Sequence, residues 1–408
     1  MIILTQLLLI IIGALCIQTL CKTDTKLNVG LHIVIAYGVG AGVCSLLTFY
    51  SLIIFQQYNR GAVIILTLIV LGILLFINRN SLQKIQFKPV WKWSLAGKIL
   101  LWIVGCVLLY IISRMHYWGE WDAWALYNMK LKFLLFAGKD WTSIFSQLHW
   151  STQPDYPLLL PCLNAWHYSF FAGNISLISY ATGLCFAFGC SILVYFGLRQ
   201  FSSSILVFIA SIYLLSSPFF SYWATSQYAD ILLAFYLLTA VILTLLYIKE
   251  RASSTALLLG GIMGLMTFTK NEGIAISFIL CVSLTLYFLT FERTHFQKTW
   301  KFMSKVLLGI CILAAGTVIL KLFFAPPNRD ILTNLGNDLP YFNWKGLRAI
   351  GNGFIKEVTD KRWCGAWFFL GILYLIKSPK LIYKENKVIS YFFVLYIFVL
   401  MFIYLTTS

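Results

Sequence analysis

The residues best suited to chemistry in this chain gather in one stretch, 117–157, which reads YWGEWDAWALYNMKLKFLLFAGKDWTSIFSQLHWSTQPDYP. It brings together the carboxylates Glu120, Asp122, Asp140 and Asp155, the lysines Lys130, Lys132 and Lys139, and the tryptophans Trp118, Trp121, Trp124, Trp141 and Trp150. A carboxylate at the edge of an apolar phase is a general base for a hydroxyl proton, and desolvation there raises its pKa. A lysine nearby is a natural counter-charge for a phosphate. The flanking sequence is almost all apolar, and charged groups beside a bilayer are costly unless they are paired or functional.

That apolar setting dominates the composition. Of 408 residues, 60% are hydrophobic and only 11% charged, with mean hydropathy +0.83. Soluble domains carry roughly 25% charged residues. The expected fold class is therefore an all-α polytopic membrane protein with no sizeable soluble domain. The formal net charge of +17 is spread over short loops, as expected when basic residues set membrane orientation, so no nucleic-acid partner is expected. The ten cysteines include no CxxC pair, and most sit in or beside apolar runs, where Cys acts as a small hydrophobe. The apolar N-terminus lacks a basic leader and a small-residue cleavage site, so it is taken as a first span.

Apolar runs of spanning length, or slightly shorter, lie at 2–21, 30–55, 62–77, 95–113, 175–198, 204–220, 231–248, 255–269, 273–291, 306–324, 363–377 and 388–405. This predicts about twelve transmembrane helices. A further run at 158–171 is short and contains Pro161, Asn164 and His167. If it does not cross, the basic loops carrying Arg79, Lys84, Lys88, Lys92, Arg199, Lys249, Arg251, Arg293, Lys298, Lys301, Lys305 and Lys377 through Lys387 all share one side. The positive-inside rule makes that side the cytoplasm, so the run is predicted to be a re-entrant or interfacial helix. The loop 114–174, the turn 221–230, the break 270–273 and the loop 325–362 then meet on the outer face. The chain divides into N-terminal helices of no assigned role (1–94), a core (95–291) and C-terminal helices with an outer loop (292–408). A surface helix is expected at 345–361.

Within this frame the candidate residues acquire roles and alternatives. Asp122 follows the end of a span and is the candidate base, or else an interfacial acid paired with a lysine, or a helix cap. Glu120 is a candidate for binding acceptor or metal. A helix over 121–136 would align Trp121, Ala125, Met129, Phe133 and Phe136 on one stripe and lie flat at the interface. Lys130 and Lys132 would contact phosphate or reach to headgroups. Asp155 and Tyr156 would order substrate or loop, with Asp155 alternatively capping a helix from Pro157. Asp230 precedes a long apolar run and reads as a helix cap or a site residue. Lys270 and Glu272 interrupt the apolar stretch 255–291, as a phosphate ligand or an internal ion pair. Arg329, Arg348 and Arg362 are further phosphate candidates. His149 and His167 lack ligand spacing and there is no DxD triplet. A divalent cation, if bound, would use Glu120, Asp122 and Asp230.

Four signatures occur in order: WGEWDAWALYNMKLKFLLF (118–136), DYPLLLP (155–161), SPFFSYWATSQYADILLAFY (217–236) and FTKNEG (268–273). Together they resemble the GT-C superfamily of polyprenyl-phosphate-sugar-dependent glycosyltransferases, in the branch of protein O-mannosyltransferases and the aminoarabinose transferase of lipid A. The resemblance covers about 95–290. It implies a GT-C-like membrane core and an inverting transfer from a polyprenyl-phosphate-linked sugar to a lipid, glycan or protein acceptor of the cell envelope, at the outer side of the inner membrane. It implies Asp122 as base, with Asp230, Lys270 and Gly273 at family positions. The chain departs from the pattern in having Gln153 where relatives often have His, and in lacking a large C-terminal outer domain. An O-antigen polymerase or ligase is the alternative enzyme, although the key loop is not arginine-rich. A flippase or transporter is the alternative class, although no internal repeat is found.

Overall fold

The computed structural model describes residues 2–21, 27–82, 118–201, 205–290 and 296–327, with isolated positions at 103 and between 348 and 399. Every regular element among them is helical. The long helices are α1 (Ile2–Cys21), α2 (Val29–Phe55) and α3 (Arg60–Leu82). After them come a π-turn (Ala123–Tyr127) and α4 (Asn128–Phe136), then two 3₁₀ segments, Gly138–Phe145 and Gln147–Thr152. The core continues with α5 (Leu159–Phe170), α6 (Ile175–Leu198), α7 (Ile205–Ser216), α8 (Pro218–Thr225), α9 (Asp230–Glu250), α10 (Ser253–Thr269), α11 (Asn271–Thr290) and α12 (Phe296–Phe323).

Seven of these helices, α1, α2, α3, α6, α9, α11 and α12, are long and apolar enough to cross a membrane. The expectation of twelve is not reached among the described residues, for three reasons. The run at 204–220 is cut at Ser217–Pro218, where proline opens α8 and ends α7. The run at 255–269 is the 17-residue α10. The runs at 95–113 and 363–377, and most of 388–405 and 345–361, lie outside the described residues.

Helix α10 is apolar on all sides and buried nearly throughout, as a central helix must be. It comes close to α12 because Gly260 has no side chain: a Cβ there would sit 2.0 Å from the Val306 carbonyl oxygen. Small residues permit such approaches where lipid offers no hydrophobic drive between helices.

The doubtful run forms α5, whose 12 residues reach about 18 Å, short of a hydrocarbon core. It does not lie at an interface with a free face. It is buried on every side and tied to three helices: Ser45 Oγ donates to the Leu159 carbonyl (2.7 Å), Trp166 Nε1 donates to Thr67 Oγ1 (2.9 Å), and His167 Nδ1 pairs with Thr5 Oγ1 (2.8 Å).

Helix direction and contacts sort the loops into two ends. At one end Asn28 donates to the Phe196 carbonyl, Asn78 to Thr19, and Lys249 to the Gln200 carbonyl; Lys305 reaches Ser253 there too. Arg79, Arg199 and Arg251 belong to the same end. The opposite end carries residues 118–158, the start of α9, the α10–α11 junction and the end of α12.

Candidate functional site

The α10–α11 junction is the organising point of that end. Thr269 closes α10, Lys270 is fully extended (φ −152°, ψ 160°), and Asn271 opens α11. The reversal is tight because Gly273 lets the helices touch: a Cβ there would meet the Met266 carbonyl oxygen at 2.0 Å. This break lets the Lys270 side chain leave the helix pair and meet the start of α9. Its Nζ lies 3.1 Å from Asp230 Oδ1 and 3.2 Å from Glu272 Oε1. Burial pulls the Lys270 ammonium down, but Tyr127, Asp230, Glu272 and Tyr156 together more than offset this and hold it above the ordinary lysine value. Lys270 is thus a fixed cation.

Asp230 is not a helix cap. The cap position is Ala229, and Asp230 is the first residue of α9, where a carboxylate also meets the positive end of the helix dipole. Glu272 lies in the first turn of α11 in the same way. Tyr156 approaches from the loop: its hydroxyl is 3.5 Å from Glu272 Oε1 and its ring centroid 5.8 Å from Lys270 Nζ.

Asp122 joins this group from the start of the π-turn. Its backbone N–H donates to Tyr228 Oη (3.1 Å), two residues before Asp230 in sequence. Its carboxylate accepts no hydrogen bond and makes no ion pair among the described residues. Burial pushes the Asp122 carboxyl up; Lys270 pulls it down and Asp230 pushes it up, so both lie within electrostatic reach. Glu120 is half-buried, with its N–H on the Ser226 carbonyl (3.3 Å). Gly119, at φ +73°, makes this approach: a Cβ would press on Ala123 and the Ser226 carbonyl.

Three expectations are corrected here. The segment 121–136 is not one helix with an outward apolar stripe. The π-turn shifts the register, so Trp121 and Phe136 are exposed while Ala125 is buried. Lys130 faces inward, and its ammonium is taken up by backbone carbonyls inside the protein. It is 1% exposed, and its Nζ donates to the carbonyls of Gln153 (2.7 Å) and Tyr156 (3.1 Å). Asp155 does not cap α5, whose cap position is Leu158. It is 4% exposed and held from two other helices: Asn271 Nδ2 donates to its Oδ2 (2.6 Å), and Lys321 Nζ donates to its carbonyl (2.5 Å) with Oδ2 3.4 Å away. Lys132 is exposed, as is Arg348, while Arg329 and Arg362 lie outside the described residues.

Several residues of the cluster were not singled out from sequence. Asn271 and Lys321 bracket Asp155. Tyr127 buries its hydroxyl near Lys270, and burial drives its pKa well up. It lies five positions after Asp122, the i to i+5 spacing of a π-turn rather than that of an α-turn, so an α-helical reading places it on the wrong face. A buried polar chain fixes the loop to the core: Asn128 Nδ2 donates to Gln227 Oε1 (3.0 Å), Ser179 Oγ to Asn128 Oδ1 (2.7 Å), Asn164 Nδ2 to Ser179 Oγ (3.0 Å) and Thr182 Oγ1 to Asn164 Oδ1 (2.8 Å). Lys321 was detectable as a lone charge in the last turn of an apolar helix.

Among the described residues no group of three or more His, Cys, Asp or Glu side chains is arranged to hold a metal ion. In the trio Glu120, Asp122 and Asp230, the last is already engaged by Lys270. Chemically, the arrangement offers one carboxylate that is unengaged among the described residues, with a raised proton affinity, within electrostatic reach of one immobilised ammonium. Comparisons of the chain with protein families, with curated proteins and with solved structures found no match.

Proposed function

We propose that this chain is a membrane glycosyltransferase of the GT-C type. It moves a sugar from a polyprenyl-phosphate donor to a hydroxyl of a cell-envelope acceptor, with inversion at the anomeric carbon. The observation that carries the reading is the Asp122 carboxylate, unpartnered among the described residues and within electrostatic reach of Lys270 and Asp230. Asp122 accepts the proton of the acceptor hydroxyl. The acceptor oxygen bonds to the anomeric carbon as the bond from that carbon to the phosphate oxygen breaks. The phosphate leaves with the electron pair, and Lys270 stabilises its charge. Attack in one step from the face opposite the leaving group gives inversion.

Asp230 and Glu272 keep the Lys270 ammonium in place, so little reorganisation is needed when charge develops. Exposed Trp118, Trp121 and Trp124 seat this end at the membrane interface, where a lipid-borne donor arrives. The basic residues of the opposite end support a cytoplasmic orientation for that end and, with it, a site on the outer face of the inner membrane.

The test is transfer by the purified protein in lipid nanodiscs, with polyprenyl-monophosphate sugars, polyprenyl-diphosphate glycans and nucleotide sugars offered in parallel. Transfer from the monophosphate class alone supports the reading. Transfer from the diphosphate class alone, or from no donor, overturns it.

A further inference from the structure

The lysine closest in sequence to the candidate base has no route to a substrate, and its position calls for another role. Lys130 Nζ ends on two backbone carbonyls of one short turn, those of Gln153 and Tyr156. That turn carries strain. Gln153 has φ +47°, a left-handed conformation that a non-glycine residue adopts only under constraint, and Pro154 follows it. The turn is closed by its own bond from the Tyr156 N–H to the Gln153 carbonyl (3.0 Å). The Gln153 oxygen therefore accepts from both the amide and the ammonium. On its far side the turn is held by Asn271 and Lys321 through Asp155. What it presents to the cluster is Tyr156, against Lys270 and Glu272.

We propose that Lys130 is a positioning residue, which acts through the 153–156 turn to fix Tyr156 against Lys270 and Glu272. The clamp stands on this geometry and on the burial of the Lys130 charge that it entails; its consequence for sugar transfer rests on the function proposed above. The Lys130 ammonium faces Asp155 and the Tyr156 ring from the turn, and Lys321 from α12. Burial, with Lys321 adding to it and Asp155 opposing it, brings Lys130 down to about 7. Closing the turn is therefore linked to proton release, and the closed turn gains as pH rises above about 7.

The experiment is hydrogen exchange of the full-length protein in nanodiscs, read at the Tyr156 amide and corrected for intrinsic exchange. In Lys130→Met the protection of that amide falls on the order of tenfold, the loss expected when two hydrogen bonds to a buried turn are removed. Protection in α9 and α11 stays unchanged. In the wild type, protection at Tyr156 rises with pH through about 7. Unchanged protection in Lys130→Met would overturn the clamp, as would a loss spread through α9 and α11, which would make Lys130 a general packing residue. A flat wild-type pH profile would also overturn it and needs no variant to fold. Transfer measured on the same samples separates the two claims. Full transfer with a loosened turn would overturn the positioning role, whereas absence of transfer in the wild type counts against the proposed function and leaves the exchange result standing.

Discussion

Lys270 and Asp230 are forty residues apart in the chain and 3.1 Å apart in space, with Glu272 on the other side of the same ammonium. Two carboxylates sharing one buried cation make its removal costly. Lys270→Met should lower stability by about 1–2 kcal/mol, less than the 3–5 of a fully buried pair, because the Asp230 and Glu272 side chains are 37% and 49% exposed. Adding Asp230→Asn and Glu272→Gln should recover most of that loss. Thermal unfolding in detergent checks both, and an unchanged midpoint for Lys270→Met would remove the cluster's structural role.

Asp122 gives a pH dependence with a defined sign. Its carboxyl lies above the ordinary carboxylate range because burial outweighs the pull of Lys270. A base must be deprotonated to act, so transfer should fall as pH drops through this raised value. Removing Lys270 removes the group that pulls the value down. In Lys270→Met the acid limb of the residual activity should move to higher pH, and a limb that moves lower or stays put would separate the two residues.

Much of this was legible in the sequence and some was not. The charges Asp230, Lys270 and Glu272 stood out because each interrupts or begins an apolar run, and charge in such a setting must find a partner. The seven long helices were legible from hydrophobic length. Lys130 was misread because spacing cannot tell a lysine that reaches out from one that turns in; two carbonyls of a left-handed turn decide that, and φ at Gln153 is not written in local propensity. Tyr127 was hidden by the π-turn, which no periodicity reveals. Asp155 looked like a cap for the helix at Pro157, yet its partners come from α11 and α12, far along the chain.

The Gly273 contact predicts a sharp steric effect. Gly273→Ala drives a methyl into the Met266 carbonyl, so the start of α11 must shift and carry Glu272 with it. A loss of roughly 1–3 kcal/mol is expected, together with reduced transfer, measured by thermal unfolding and the donor assay. A variant indistinguishable from wild type would mean that the junction has slack.

Asn128 joins the Gln227 amide to Ser179 inside the buried polar chain. Asn128→Leu removes two links of that chain, the bond from Asn128 Nδ2 to Gln227 Oε1 and the bond from the Ser179 hydroxyl to Asn128 Oδ1. The cost should be about 1–3 kcal/mol, seen as a lower unfolding midpoint and faster hydrogen exchange at 119–128. Exchange unaltered in that segment would show that the loop is held by other means.

Sidedness is open to labelling. In a background without native cysteines, Asp140→Cys should react with an impermeant thiol reagent from outside intact cells, and Lys301→Cys only after permeabilisation, since the two belong to opposite ends of the bundle. The reverse pattern would put the site in the cytoplasm.

The most direct measurement is transfer of labelled sugar from a defined polyprenyl-monophosphate donor, wild type against Asp122→Asn, with folding of both verified by thermal unfolding. The variant keeps the size of the side chain and its position within reach of Lys270's charge but lacks the carboxylate that takes the proton. The account predicts that the wild type transfers sugar and that Asp122→Asn loses on the order of 10²–10⁴-fold in rate. Equal rates in the two proteins would contradict it.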